Sequence, residues 1–264
     1  AGKPFAVVRM GLAESCLVNQ FINNPRKVHK CEEPHKLSGI YPETEEVFTN
    51  FAEMYFKSMQ LLDENDAIAS FVNLDEEKVL SLTNIGTIMQ NRALEPFYFE
   101  NPWSKFLEGK TVLIVHPFVD SIKCQLRVRS KLFKDRNVLP PFKAKFVKMY
   151  QAIAYHHPHR SYFETLEAVK GDIDGAGNFD IALIAAGGYS LPLSIYCKTE
   201  KRATSIVMGG GSQILFGLKG SRWDGHETIS KLYNSFWIYP LDFDTPVNSF
   251  LVESGCYWGR SEER

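Results

Sequence analysis

Residues 179–198 read FDIALIAAGGYSLPLSIYCK and, after a short connection, residues 203–224 read ATSIVMGGGSQILFGLKGSRWD. Each half starts with an unbroken apolar run, residues 181–186 and 203–208, and each run ends in a glycine cluster that opens a segment with helical spacing. Buried parallel strands feeding crossover helices have this pattern. In such sheets ligands bind at the carboxyl ends of the strands. Two candidate ligand loops fall in one strand-helix-strand unit: Gly187-Gly188-Tyr189-Ser190, and a second running from Gly209 through Gly210, Gly211 and Ser212 to Gln213. Glycine lets a backbone approach a ligand closely, and the free amides of the next helical turn suit an anion. Lys219 and Arg222 follow closely and supply positive charge. The stretch therefore predicts a phosphate-bearing ligand, a nucleotide in the first instance.

Working outward, residues 5–10 (FAVVRM), 67–72, 111–115 and 144–149 read as further strands. Arg9 near the end of the first is either ion-paired or aimed at a ligand. Residues 24–40 read as loop, and within them His29, Cys31 and His35 match no standard metal spacing, so exposure is expected. From Val47 to Leu62 apolar residues recur at three- and four-residue steps, the pattern of an amphipathic core helix. Asn73 is expected at the ligand edge of the sheet, able to bind a hydroxyl but not to act as a base. Residues 84–109 read as irregular, a loop long enough to close over a ligand. His116 ends the strand over residues 111–115 and is a further edge residue. The tract holding His156, His157 and His159 is expected to be an exposed loop, and Ser161 with Glu164 forms a capping box.

At 264 residues, with 44% apolar and 23% charged, the chain fits one soluble α/β domain spanning residues 1–264. Thirty basic residues against thirty-one acidic ones leave no net field to draw nucleic acid or membrane. No apolar run approaches the roughly 20 residues of a transmembrane segment, and the start Ala1-Gly2-Lys3 has no signal-peptide pattern. The five cysteines are odd in number and scattered, which favours a reducing compartment, and a cytoplasmic location is expected.

The motifs VVRMGLAES (7–15), TVLIVHPFVDSIKCQ (111–125), FDIALIAAGGYSLPL (179–193), IVMGGGSQILFGLKGSRWD (206–224) and VESGCYW (252–258) together resemble glycosyltransferases of the GT-D fold class, in a branch of bacteria and large algal viruses. The resemblance covers most of the chain. It implies a Rossmann-like three-layer α/β/α sandwich with a mainly parallel sheet. It also implies a nucleotide-sugar donor, usually a UDP-sugar, with UDP-xylose suggested by the viral branch, and a glycan or glycoprotein acceptor. A viral member would work in the host cytoplasm. The resemblance further implies a divalent metal, Mn²⁺ or Mg²⁺, held by an Asp-X-Glu motif after the first strand. In this chain Leu12 stands where that Asp belongs, while Glu14 keeps the Glu. Leucine ligates nothing and one carboxylate makes a weak hard-cation site, so no metal ligand is assigned. Without a metal, the departing diphosphate would rely on fixed cations and amide donors.

Within that reading Glu14 is the first candidate for the base that deprotonates the acceptor and Asp224 the second. Their plain alternatives are a helix first-turn charge for Glu14 and an ion pair with Arg222 for Asp224. Arg9, Gly11, Asn73, His116, Gly187, Gly188, Gly210, Gly211, Lys219 and Arg222 are candidate donor contacts. Tyr189 is the candidate to stack on uracil, and Ser212 and Gln213 to donate to phosphate. A dinucleotide-dependent oxidoreductase is less consistent, because Gly11 stands alone where a Gly-X-Gly-X-X-Gly would be needed. A non-catalytic nucleotide or glycan binding module remains the other alternative, favoured by Leu12.

Overall fold

The computed structural model describes residues 2–259. Seven strands, β1 (Ala6–Val8), β2 (Ala67–Ser70), β3 (Thr87–Gln90), β4 (Thr111–His116), β5 (Lys143–Lys148), β6 (Ile181–Ile184) and β7 (Thr204–Val207), form one sheet in the order β3-β2-β1-β7-β6-β4-β5. Every strand pair in it is parallel. The unit read first from sequence is present: β6 and β7 are neighbours in register, Ile181 opposite Thr204 and Ile184 opposite Val207, joined by α6 (Ser190–Thr199). β3, inside the segment read as irregular, is the exception. Its Thr87 and Ile88 are exposed, so this edge strand carries no apolar run to announce it.

Alternate residues of the central strands enter different cores, as the period of two requires. Ala6, Val8, Leu113, Val115, Ala182, Ile184 and Val207 point to one face. There they meet α1 (Leu12–Asn23), α2 (Glu45–Gln60), α3 (Leu74–Leu80), α5 (Tyr162–Gly175) and α6. Val7, Val112, Ile114, Leu183 and Ile206 point to the other, covered by α4 (Val119–Arg127), α7 (Gly211–Leu215), α8 (Ser221–Asp224) and the C-terminal turns with Trp237 and Trp258. The result is a Rossmann-like three-layer α/β/α sandwich. Residues 84–109 are packed down: Leu94 and Leu107 are buried, Trp103 Nε1 donates to Leu94 O at 3.2 Å and Ser104 Oγ to Val138 O at 2.8 Å.

Two expectations about loops are corrected. Cys16 and Cys31, expected as scattered unpaired cysteines, are disulfide-bonded, their Cα atoms 6.5 Å apart. The bond ties α1 to the loop before it meets the turn Pro34–Ser38. His35 is buried, 3% exposed, stacked on Tyr41 at 5.0 Å and edge-on to His157 at 4.6 Å. His29 does stay at the surface, against Glu45.

Candidate functional site

Because the sheet is parallel, the carboxyl ends of its strands share one edge, and the four central strands open there onto a cleft of about 450 Å³. Arg9 and Gly11 follow β1, His116 closes β4, Ala185 to Gly187 follow β6, and Gly209 and Gly210 follow β7; all line the cleft. Glu14 from the first turn of α1, Ser190 from the start of α6, Gln213 from α7 and Arg222 from α8 complete the predicted part of the wall. Ligands of open α/β sheets bind at such an edge.

Arg9 is held from both sides. Its Nη1 donates to Met208 O at 2.8 Å and its guanidinium lies 4.8 Å from the centre of the Phe71 ring. Burial lowers its pKa from the ordinary value, opposed by the charges of Tyr257, Glu95 and Glu14, and an arginine stays protonated through such a shift. Gly209 has φ +55°, and a Cβ there would sit 2.8 Å from Arg9 Nη1, so only glycine serves. Arg222 is ion-paired to Glu253, its Nη1 donates to the Tyr257 hydroxyl at 3.4 Å, and it lies 4.8 Å from the Tyr257 ring centre. Two guanidinium groups thus line one cleft.

Glu14 is 5% exposed, and burial raises its pKa above the ordinary carboxylate value. Hydrogen bonds from its own amide and the Ser38 hydroxyl pull the other way, as does the Arg9 charge. A Cβ on Gly11 would collide with the Glu14 carboxylate, so glycine at the helix start leaves that carboxylate its place.

His116 is a buried neutral histidine, its pKa lowered to about 3 by burial. Its Nδ1 accepts from Phe118 N at 2.9 Å, which leaves the proton on Nε2 to donate to Ser212 Oγ at 3.0 Å. Ser212 Oγ donates onward to Gly209 O at 2.6 Å, so His116 and Ser212 fasten the glycine loop from behind. Ser212 itself is 2% exposed and its hydroxyl proton is committed.

Other predicted residues take different places. Gln213 lines the cleft, but its Nε2 already donates to Lys219 O at 2.6 Å and Tyr257 O at 2.7 Å. Its Oε1 is buried without a protein partner, so the side chain has no donor left for the phosphate it is expected to bind. Tyr189 is 1% exposed, stacked on Tyr162 at 4.2 Å with its hydroxyl on Gly39 O, which leaves no ring face for a base. Gly188 is buried and its carbonyl accepts from Tyr162 Oη at 3.0 Å; Gly211 begins α7, also buried. Lys219 lies between the rings of Tyr233 and Tyr239, at 5.6 and 5.4 Å, and Asp224 accepts from the same two hydroxyls at 3.4 and 3.1 Å. Neither Lys219 nor Asp224 lines the cleft. Asn73 caps α3, its Oδ1 accepting from Glu76 N at 3.0 Å, and is likewise outside.

Sequence reading missed Ser38, Phe71, Gln151, Glu253, Tyr257 and Trp258, which also line the cleft. Glu253, Tyr257 and Trp258 fall in the closing VESGCYW motif; Ser38, Phe71 and Gln151 sit in segments whose local pattern carries no site signal.

The divalent metal implied by the resemblance does not fit these residues. Among the described residues no three His, Cys, Asp or Glu side chains are placed to hold an ion. Leu12 is 55% exposed at the cleft where a ligand would be needed. Among the described residues no helix is long and apolar enough to cross a membrane.

No family model matches the chain, and no curated protein matches it. Among solved structures it is similar to a glycosyltransferase (DUF1792) from Streptococcus sanguinis, with a TM-score of 0.49, 14% identity, and coverage of 90% of this chain and 89% of that one. It is also similar to a selenomethionine-substituted domain of unknown function 1792, with a TM-score of 0.47, 14% identity, and coverage of 78% and 72%.

Proposed function

We propose that the protein is a glycosyltransferase that moves a sugar from a nucleotide-sugar donor, by the sequence resemblance a UDP-sugar such as UDP-xylose, to a hydroxyl of a glycan acceptor. The observation that carries this reading is the cleft itself. Two guanidinium groups, Arg9 and Arg222, and a buried carboxylate, Glu14, line one space at the carboxyl edge of a parallel sheet, beside glycine loops. In the transfer, the acceptor oxygen forms a bond to the anomeric carbon while the bond from that carbon to the diphosphate oxygen breaks. The diphosphate leaves with the electron pair, and Arg9, Arg222 and the loop amides take up its charge. The acceptor proton passes to Glu14, whose raised pKa makes it a stronger base than an exposed carboxylate.

A non-catalytic binding module is the second reading, favoured by Leu12 at the cleft. Release of UDP from a panel of UDP-sugars, with and without EDTA, separates the two. Turnover that survives EDTA supports the transferase, and saturable binding without turnover supports the module.

A further inference from the structure

Arg222 and Glu253 both line the cleft and are ion-paired there, with side chains 36% and 50% exposed. A pair this open contributes little to stability. Its carboxylate is nonetheless delivered at a cost: Glu253 and Ser254 hold φ of 46° and 57°, a region that strains residues other than glycine. The segment is secured elsewhere. Val252 and Trp258 are buried, Arg222 N donates to Cys256 O at 3.1 Å, and Gln213 grips Tyr257 O at 2.7 Å. Packing around the strained residues therefore holds the Glu253 carboxylate against a guanidinium already oriented by Tyr257.

Resting on the nucleotide-sugar reading of this cleft, we infer that Glu253 is an internal counter-anion, which a ligand phosphate displaces from Arg222, so that it sets the cleft's affinity for anions. The monoanionic carboxylate satisfies Arg222 while the cleft is free. A phosphate group offers more charge and the same paired-oxygen geometry, and so competes for the guanidinium. Ligands lacking phosphate leave the pair untouched.

The test is calorimetric titration of UDP, inorganic pyrophosphate and uridine into the wild type, Glu253→Gln and Glu253→Ser. Both variants are expected to bind UDP and pyrophosphate roughly threefold to fivefold tighter, the factor for releasing one exposed ion pair, with uridine unchanged. UDP bound by the wild type but no tighter by the variants overturns this inference and leaves the nucleotide-sugar reading standing. Loss of the fold in both variants marks the contact as structural and also overturns it. No binding of UDP or pyrophosphate to any form overturns both.

Discussion

Glu14 lines the cleft and carries an energetic penalty from burial, and its proposed role as base and that penalty are separately measurable. Its folded-state pKa lies above the ordinary 4.5, so the native protein holds this proton more tightly than the unfolded chain. That stabilisation is present below the unfolded pKa and is lost as pH rises through the folded one. Glu14→Gln is therefore expected to be more stable than the wild type at neutral pH, with the gap closing below about pH 4.5 in urea unfolding. The same variant should lose transfer rate by roughly 10²- to 10⁴-fold with UDP affinity kept; unchanged turnover would remove Glu14 from the chemistry. Gly209 tests the other half of the cleft. Alanine there meets both a positive φ and the Arg9 guanidinium, so about 1–3 kcal/mol of stability and part of the UDP affinity should go together.

The strand-to-helix turns are where local sequence and long-range contact meet. After β4, His116 reaches Ser212 on α7 and joins two loops that are 96 residues apart in the chain. Its pKa is lowered to about 3 in the fold. Here the sign is opposite to that of Glu14: the unfolded chain takes up a proton first. The contribution of His116 to stability should fall by about 1.4 kcal/mol per pH unit from roughly pH 6.5 down to pH 3, read as the difference in slope from a His116→Gln variant. A His116→Gln variant that keeps the wild-type pH slope would show that another group causes it. The turn after β2 is built differently. Val72 holds φ 55° and is 71% exposed, while the buried Glu76 carboxylate accepts from Phe71 N and Val72 N at 2.8 and 3.0 Å. Val72→Gly should remove the strain of a β-branched residue in that region and raise stability by up to about 1 kcal/mol in chemical denaturation.

Across the full chain, two linkages set apparent stability. The Cys16–Cys31 bond closes a loop of separation 15, for which chain entropy gives about 3 kcal/mol. Reductant should lower the thermal midpoint by several degrees, and Cys31→Ser should make it insensitive to reductant. A donor at one hundred times its dissociation constant should add about 2.7 kcal/mol, read as a midpoint shift with one class of nucleotide sugar. The layered parallel sheet was legible because its central strands are mostly apolar, β6 and β7 running into glycine clusters, a pattern that burial on both faces imposes and that needs no distant partner to be seen. That Gly209, Arg9 and Glu14 reach the cleft was legible for a local reason: each stands within a few residues of a strand end. The fates of Tyr189, Lys219, Asp224 and Asn73 were not, because each is decided by a partner far away or by a cap: Gly39, Tyr233, Tyr239 and the α3 amide of Glu76. The Cys16–Cys31 bond and the arrival of Glu253 at Arg222 likewise depend on packing that brings separate segments together. Periodicity and turn chemistry are short-range and can be read along a chain; which side chain finally faces a cleft is settled by the distant segments that compete for it.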